Sequence, residues 1–433
     1  MRRTGGLPSR LPRLYDRYEK NLLDDRTDVV DAAAGEVTEV VRREINRRTL
    51  IASTAALAGT SIVGPAAAAD TRRRVRFPGK ADLILLTDRP PQLETPLHYF
   101  RQDLTPNEAY FVRWHLAAIP TRVDLGTFRL VVDGAVTTPL SLSVDSLKRD
   151  FEPVSLVALN QCSGNSRSFF EPRVAGSQWK HGAMGNARWT GVRLRDLLAR
   201  AGIGAGAVEV GISGLDESPM PSLPKMLKSI SIDHANDGDV MVAYAMNDEP
   251  LPMLNGFPLR LVVPGWYATY WIKALHHVNV RTEPLRNIWM DVAYRVPNNP
   301  IANESEVELA KDTVPINRFS IHSIFVRPEP EEAIPVGRPY DLEGLATDAG
   351  HGITGVDVSL DGGRSWTAAA LDPEIGRFSW RRWRLRWTPS QAGPYVLKVR
   401  ATNRAGEQQL TSQWNHGGYA RRLIEQTTGM VVA

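Results

Sequence analysis

The chain has 433 residues, 42% hydrophobic and 23% charged, enough for two or three domains with substantial cores. Its 52 basic and 48 acidic residues leave a formal charge of +4, which is no nucleic-acid footprint. A single cysteine, Cys162, excludes an internal disulfide and any metal site built from cysteines alone.

The N-terminus reads as an address. Asn46-Arg47-Arg48-Thr49-Leu50-Ile51 sets paired arginines ahead of a mildly apolar run from Ile51 to Val63, and Ala67-Ala68-Ala69 offers a small-residue cleavage site. Residues 1–69 are therefore expected to be a leader with a twin-arginine export signal, which places the mature protein in the periplasm. The apolar run is shorter than the roughly 20 residues needed to span a bilayer. No later segment is apolar enough to cross a membrane, so no membrane span is expected in the mature chain. Of the charged residues, 11 basic and 9 acidic ones precede Asp70, and the remainder carries only +2. The short basic run at Arg72-Arg73-Arg74 reads as a solvated tail.

Between residues 77 and 310 short β-like runs alternate with a few helical stretches. Phe128–Gly134 reads as a strand entering a turn, and Leu140–Phe151 as a short helix. Leu194–Ala201 has apolar residues at helical spacing and a stop at Gly202, so it is expected to be a helix. Leu259–Gly265 reads as a strand ending in a turn. This irregular order argues for an α+β, mixed domain. No G-x-G-x-x-G follows a strand and there is no Walker loop, which removes the usual support for nucleotide cofactors.

From 315 to 430 the texture changes. Strand-like runs at Phe319–Val326, Tyr340–Thr347, Gly355–Leu360, Trp383–Trp387 and Tyr395–Thr402 are separated by turns such as Asp361-Gly362-Gly363. Such spacing predicts an immunoglobulin-like β-sandwich, read as a structural or dimerisation module. The boundary is expected between Asn303 and Asn317.

Three segments of the first domain carry polar residues in odd settings. Arg113 and His115 share one face of an extended run, Tyr110 to His115. Cys162 sits in Asn160-Gln161-Cys162-Ser163-Gly164-Asn165-Ser166-Arg167, a tight turn with a nearby cation. Tyr294 stands beside Arg295. Taken singly, each has a bland explanation: an inert cysteine, a polar strand face, a packed aromatic.

Together they resemble the sulfite oxidase family of molybdenum enzymes. Phe111-Val112-Arg113-Trp114-His115 is similar to its Phe-Val-Arg-Asn-His element, and Gln161 to Asn165 to its cysteine turn. Ala243 to Pro252, followed by Asn255 to Gly265, resembles its long cofactor-side signature. Asp361 to Trp366 resembles a marker of its C-terminal sandwich. The likeness runs from about Phe77 to Glu425. The leader and the lack of a haem-binding domain place it beside the bacterial periplasmic sulfite dehydrogenases.

The resemblance implies one molybdenum–molybdopterin (a pyranopterin) per chain, with Cys162 as the metal ligand; a soft thiolate suits a metal already held by sulfur. It implies that Arg113 binds the substrate oxyanion, that Tyr294 hydrogen-bonds near the reacting oxygen, and that His115 shapes and charges the pocket. Cofactor contacts are implied at Phe111, Arg113, His115, Asp216, Asn255, Arg260, Trp271, Ile272 and Lys273. Two departures stand out: Asn255 replaces a histidine of vertebrate members, and Trp114 replaces the usual Asn. The implied reaction is oxidation of sulfite to sulfate by oxygen-atom transfer. With no C-x-x-C-H and no cysteine set for an iron–sulfur cluster, no haem is expected in this chain. Electrons are then expected to leave to a c-type cytochrome, with the chain a homodimer or a heterodimer with a cytochrome subunit. Competing readings are a sulfane dehydrogenase or sulfoxide reductase on the same fold, and a non-catalytic periplasmic binding protein. A cysteine hydrolase using Cys162 and His115 has no supporting motif.

Overall fold

In this computed structural model residues 71–433, apart from Pro221, are described, so the export signal expected within 1–69 lies outside the described residues. Strands dominate the described chain. An antiparallel sheet of four short strands, Arg74–Arg76, Asp82–Thr87, Gln92–Glu94 and Val112–Arg113, comes first. A five-stranded sheet has Leu275–Arg281 at its centre, parallel to Leu130–Gly134 and antiparallel to Glu209–Gly214. A second is antiparallel and runs through Val154–Gln161, Met184–Arg193 and Met241–Met246, with Arg260–Val262 attached to the last.

The helices are few and short, and their ends follow local chemistry. Leu194–Ala201 forms the expected helix; Leu194, Leu197, Leu198 and Ala201 are its buried stripe and Gly202 closes it at φ +70°. The expected helix over Leu140–Phe151 is only partly one. Leu140–Leu142 pairs as a strand with Leu130–Val132, and the helix Val144–Asp150 begins after Ser143. The Ser143 hydroxyl accepts from the Ser146 amide at 3.0 Å, a serine cap that fixes the start. Gly191 permits the close approach of the central strands, since a Cβ there would fall 2.1 Å from the Val242 carbonyl oxygen.

The hairpin Arg295–Pro297 with Thr313–Pro315 encloses most of the segment where the boundary is expected. Beyond it two sheets face each other. One pairs His322–Arg327, Tyr340–Thr347, Arg381–Trp387 and Ala370–Leu371, and the other is built on Ile353–Ser359, Gly393–Asn403 and Glu425–Val432. Every second residue of Gly393–Asn403 turns inward, so Tyr395, Leu397, Val399 and Ala401 share one core with Leu342, Val356, Val358 and Trp383. Full burial of each large apolar side chain is worth about 1.5–3 kcal/mol. The Trp383 indole N–H is satisfied by Ser323 Oγ at 3.0 Å.

The sandwich touches the first domain next to its cysteine. Leu159 N donates to Phe378 O at 2.9 Å, and Ala420 N to Ser163 O at 3.2 Å.

Candidate cofactor and substrate site

Cys162 lies where the strand Val154–Gln161 ends. Its amide donates to Ala183 O (2.9 Å), and its carbonyl accepts from Asn165 N (3.0 Å). Asn165 Oδ1 accepts from Ala183 N at 2.9 Å, locking the turn to the next strand. The Arg167 guanidinium lies over Gly164, 2.8 Å from where a Cβ would stand. That guanidinium is drawn toward the sandwich: it donates to Gly417 O at 3.0 Å and covers the Tyr419 ring at 5.0 Å.

Cys162 lines a cavity in the first domain. Phe111, Arg113, His115, Asn255, Arg260, Lys273 and Tyr294 line it as well, residues scattered over 183 positions of sequence. An adjoining recess shares His115 and Lys273 and is lined by Asp216, Trp271 and Ile272. All eleven residues singled out from sequence therefore border two neighbouring spaces. Arg113 and His115 do lie on one side of their extended segment, while Trp114 between them is buried.

The walls are cationic. Arg260 donates to Asn255 O (3.0 Å) and Asn160 Oδ1 (3.2 Å), and burial pulls its pKa down to about 10. Lys273 lies 4.7 Å over the Trp114 ring; burial and then Arg260 push its pKa down to about 7, with Asp216 opposing. Asp216 in turn is raised by burial, against Lys273. Arg113 donates to Tyr294 OH at 3.3 Å and to the Trp114 carbonyl. Burial raises the Tyr294 phenol well above its ordinary range, so it remains a hydrogen-bond donor. Its backbone sits at φ +58°, a left-handed conformation that costs a non-glycine residue on the order of 1 kcal/mol or more.

Burial, then Arg113, Lys273 and Lys228, hold the His115 pKa well below the usual value. The ring packs edge-on against Tyr294 and Trp289. Of the two sequence departures, Asn255 lines the cavity and Trp114 packs behind it. Trp114 spends its indole N–H on Leu254 O (3.0 Å), and Asn255 uses its amide on Phe111 O (3.0 Å) and Lys80.

Sequence reasoning missed Asn160, Ser163 and Thr269 on the cavity wall, and Lys80 and Tyr419 behind it. Asn160 is a wholly buried amide near the end of the strand Val154–Gln161. Tyr419 carried no signal. It belongs to the sandwich, read from sequence as structural only, yet it stacks on Tyr294 with ring centroids 5.7 Å apart.

Residues 116–289 match the oxidoreductase molybdopterin binding domain, and residues 313–419 the Mo-co oxidoreductase dimerisation domain. Human mitochondrial sulfite oxidase is 35% identical over 339 residues, covering 75% of this chain and 60% of that protein. Chicken (Gallus gallus) sulfite oxidase is 34% identical over 332 residues, 73% of this chain and 70% of that one. The chain belongs to the sulfite oxidase family of molybdopterin oxidoreductases. The sulfane dehydrogenase SoxCD from Paracoccus pantotrophus shares the fold at a TM-score of 0.69 and 23% identity, over 90% of this chain and 98% of that one.

The cavity of this sulfite oxidase family member fits the family's cofactor. Arg260 Nε, Asn160 Nδ2 and Thr269 Oγ1 are buried, belong to residues that line the space and have no partner among the described residues. Orphaned buried donors are expensive and mark a place where something else binds. Donors and cations at one end suit an anionic phosphate, and the Cys162 sulfur at the wall suits a soft metal.

A second buried cluster needs no ligand to explain it. His181, His322 and Glu425 bring potential ligand atoms within 4.8 Å of one another. Glu425 is already held by Arg421 (2.7 and 3.2 Å) and by His322 (2.9 Å), and His181 Nδ1 bonds Ser166 Oγ at 2.8 Å. This set ties the cysteine turn to the sandwich.

Proposed function

We propose that this chain oxidises sulfite to sulfate, using molybdenum held by Cys162 and a molybdopterin, and hands the electrons to a c-type cytochrome. The observation that carries this reading is the family's single cysteine lining a cavity with Arg113, Arg260 and Lys273. Arg260 and Lys273 take the cofactor's phosphate, while Phe111, Asn255, Asp216, Trp271 and Ile272 bound the space for its rings. When bound, the cofactor supplies oxygen-atom transfer to sulfur and accepts the electron pair.

The protein's own groups do the rest. Arg113 presents a planar, permanently charged fork to a small oxyanion. Tyr294, kept protonated by burial and oriented by Arg113, donates a hydrogen bond to the substrate. His115, packed edge-on against Tyr294 and Trp289, shapes the pocket. Oxidised substrate leaves as a dianion, and a periplasmic location reached through the leader would put the enzyme beside cytochrome acceptors. The sandwich, of immunoglobulin type, is the surface for a homodimer or for a cytochrome subunit.

Metal and pterin analysis, with steady-state assays on sulfite using ferricyanide and cytochrome c as acceptors, tests this. Molybdenum-loaded protein that oxidises sulfite with neither acceptor would overturn it. A sulfane dehydrogenase is the second reading, supported by the shared fold. Turnover of protein-bound sulfane sulfur in place of sulfite would select it, and turnover of methionine sulfoxide would select a reductase.

A further inference from the structure

Lys80 is a deeply buried cation to which the proposed chemistry gives no task. Lys80 lies in the turn between the strands Arg74–Arg76 and Asp82–Thr87, where its amide donates to Phe77 O at 2.9 Å. The residue is only 5% exposed, and its ammonium runs inward to three acceptors: Asn107 O (2.7 Å), Tyr110 O (3.0 Å) and Asn255 Oδ1. Three N–H donors meet three oxygens, none of them a carboxylate. Burial pushes the pKa down to about 7, Glu108 opposes, and the charge of Arg260 pushes it further.

Burying an ammonium costs several kcal/mol even after relaxation, and an apolar side chain of similar length would avoid that cost. What the lysine does here is visible in Asn255. With Lys80 on Oδ1 and Phe111 O on Nδ2, the amide has one orientation and no spare polar atom. The backbone carbonyl of the same residue receives Arg260 Nη1 at 3.0 Å. One ammonium on an N-terminal turn thus reaches, through a single residue, both the Phe111 backbone and the Arg260 guanidinium on the cavity wall.

We infer that Lys80 is a positioning residue for the anionic end of the cofactor. Through Asn255 it fixes Arg260 and Phe111, and its charge adds to the field that draws a phosphate group into the cavity. The inference rests on the molybdopterin reading and extends it to a residue that touches neither metal nor substrate.

The test uses full-length wild type and Lys80→Met with two readouts apart from activity. Molybdenum and pterin content after extended dialysis measures cofactor retention. Thermal melts of cofactor-free protein, with and without inorganic phosphate, measure whether the empty cavity takes an anion, since a ligand that binds only the folded state raises Tm. Lys80→Met is expected to retain cofactor about 10-fold less well, the low end for substitutions behind a ligand shell. It should also lose the phosphate-induced rise in Tm seen in wild type. A merely structural lysine would shift both melts together and leave the phosphate increment intact. If either retention or that increment stays at the wild-type level, or wild type itself gains nothing from phosphate, the inference falls. Wild type that purifies without molybdenum and pterin sinks the molybdopterin reading instead, and the phosphate melts still judge Lys80. Should Lys80→Met fail to fold, Lys80→Gln keeps an N–H donor toward Asn255 without the charge and carries the same outcomes.

Discussion

Two groups of buried charge lie on either side of the cysteine turn, and they are assembled differently. On the cavity side, Lys80 and Arg260 donate to carbonyl and amide oxygens, and Lys273 covers an aromatic ring. On the sandwich side, Arg421 meets Glu425, which meets His322. The second group is neutralised within the protein, whereas in the first the cations outnumber the one lining carboxylate, Asp216, that opposes Lys273. Buried charges persist only when paired, so an unbalanced cluster marks a binding site while a balanced one marks a joint.

Substitutions should separate the two. Cys162→Ser carries the largest expected effect: molybdenum retention and turnover should each fall by more than about 100-fold, since outer-shell changes alone reach that range. Metal analysis and sulfite kinetics check it, with a Tm close to that of cofactor-free wild type. Glu425→Gln should do the reverse. Leaving Arg421 buried without its counter-charge should cost about 3–5 kcal/mol of stability, read by denaturant melts. The cofactor content of whatever remains folded should be unchanged. Arg113→Gln removes a charged contact to substrate worth about 1.5–3 kcal/mol, or roughly 10–150-fold in kcat/KM. That loss should appear with molybdenum content intact.

Acid sharpens the comparison further. Burial pushes the His181 pKa down to about 3, with Glu425 opposing. The unfolded chain therefore takes a proton at this residue near pH 6.5, while the folded one refuses it until near pH 3. Burial alone would raise Glu425, but Arg421, the His322 hydrogen bond and His181 together hold it well below its usual value. Its contribution is present above about pH 4.5 and is lost as pH falls through the folded value. Both groups make the unfolded state bind more protons, so stability should fall on acidification from about pH 6.5. The slope should be up to about 1.4 kcal/mol per pH unit for each group. His181→Asn should flatten the upper part of that limb in melts across pH, and an unchanged limb would refute the assignment.

What could be read from sequence alone was local or periodic. The helix Leu194–Ala201 showed itself in an apolar stripe and a terminal glycine, and the sandwich strands in their alternation. Arg113 and His115 were legible because parity alone puts them on one side. Leu140–Leu142 was misread because two leucines two apart suit a strand or a helix end, and only Ser143 decides where the helix begins. Lys80 was invisible because its decisive partner, Asn255, stands 175 residues away, and a lysine in a turn normally points to water. Contacts closed across that distance leave no local signature.

Tyr419 joins the two regions and should give the smallest effect. Its ring stacks on the Tyr294 ring at 5.7 Å and lies under the Arg167 guanidinium at 5.0 Å. The loop that carries it is tied back on itself, with Asn415 bonding both the amide and the carbonyl of Tyr419 at 3.0 Å. Tyr294 holds a left-handed backbone conformation, so the packing around it must hold the phenol in place. An aromatic pair is worth about 0.5–1.5 kcal/mol beyond its buried area. Tyr419→Leu should therefore lower kcat/KM for sulfite by roughly 2–10-fold, while molybdenum content stays at the wild-type level. Tyr419→Phe, which keeps the ring, should fall between the two. If leucine and wild type were kinetically equal, the sandwich would contribute nothing to the position of Tyr294, and the cavity would owe its geometry to the first domain alone.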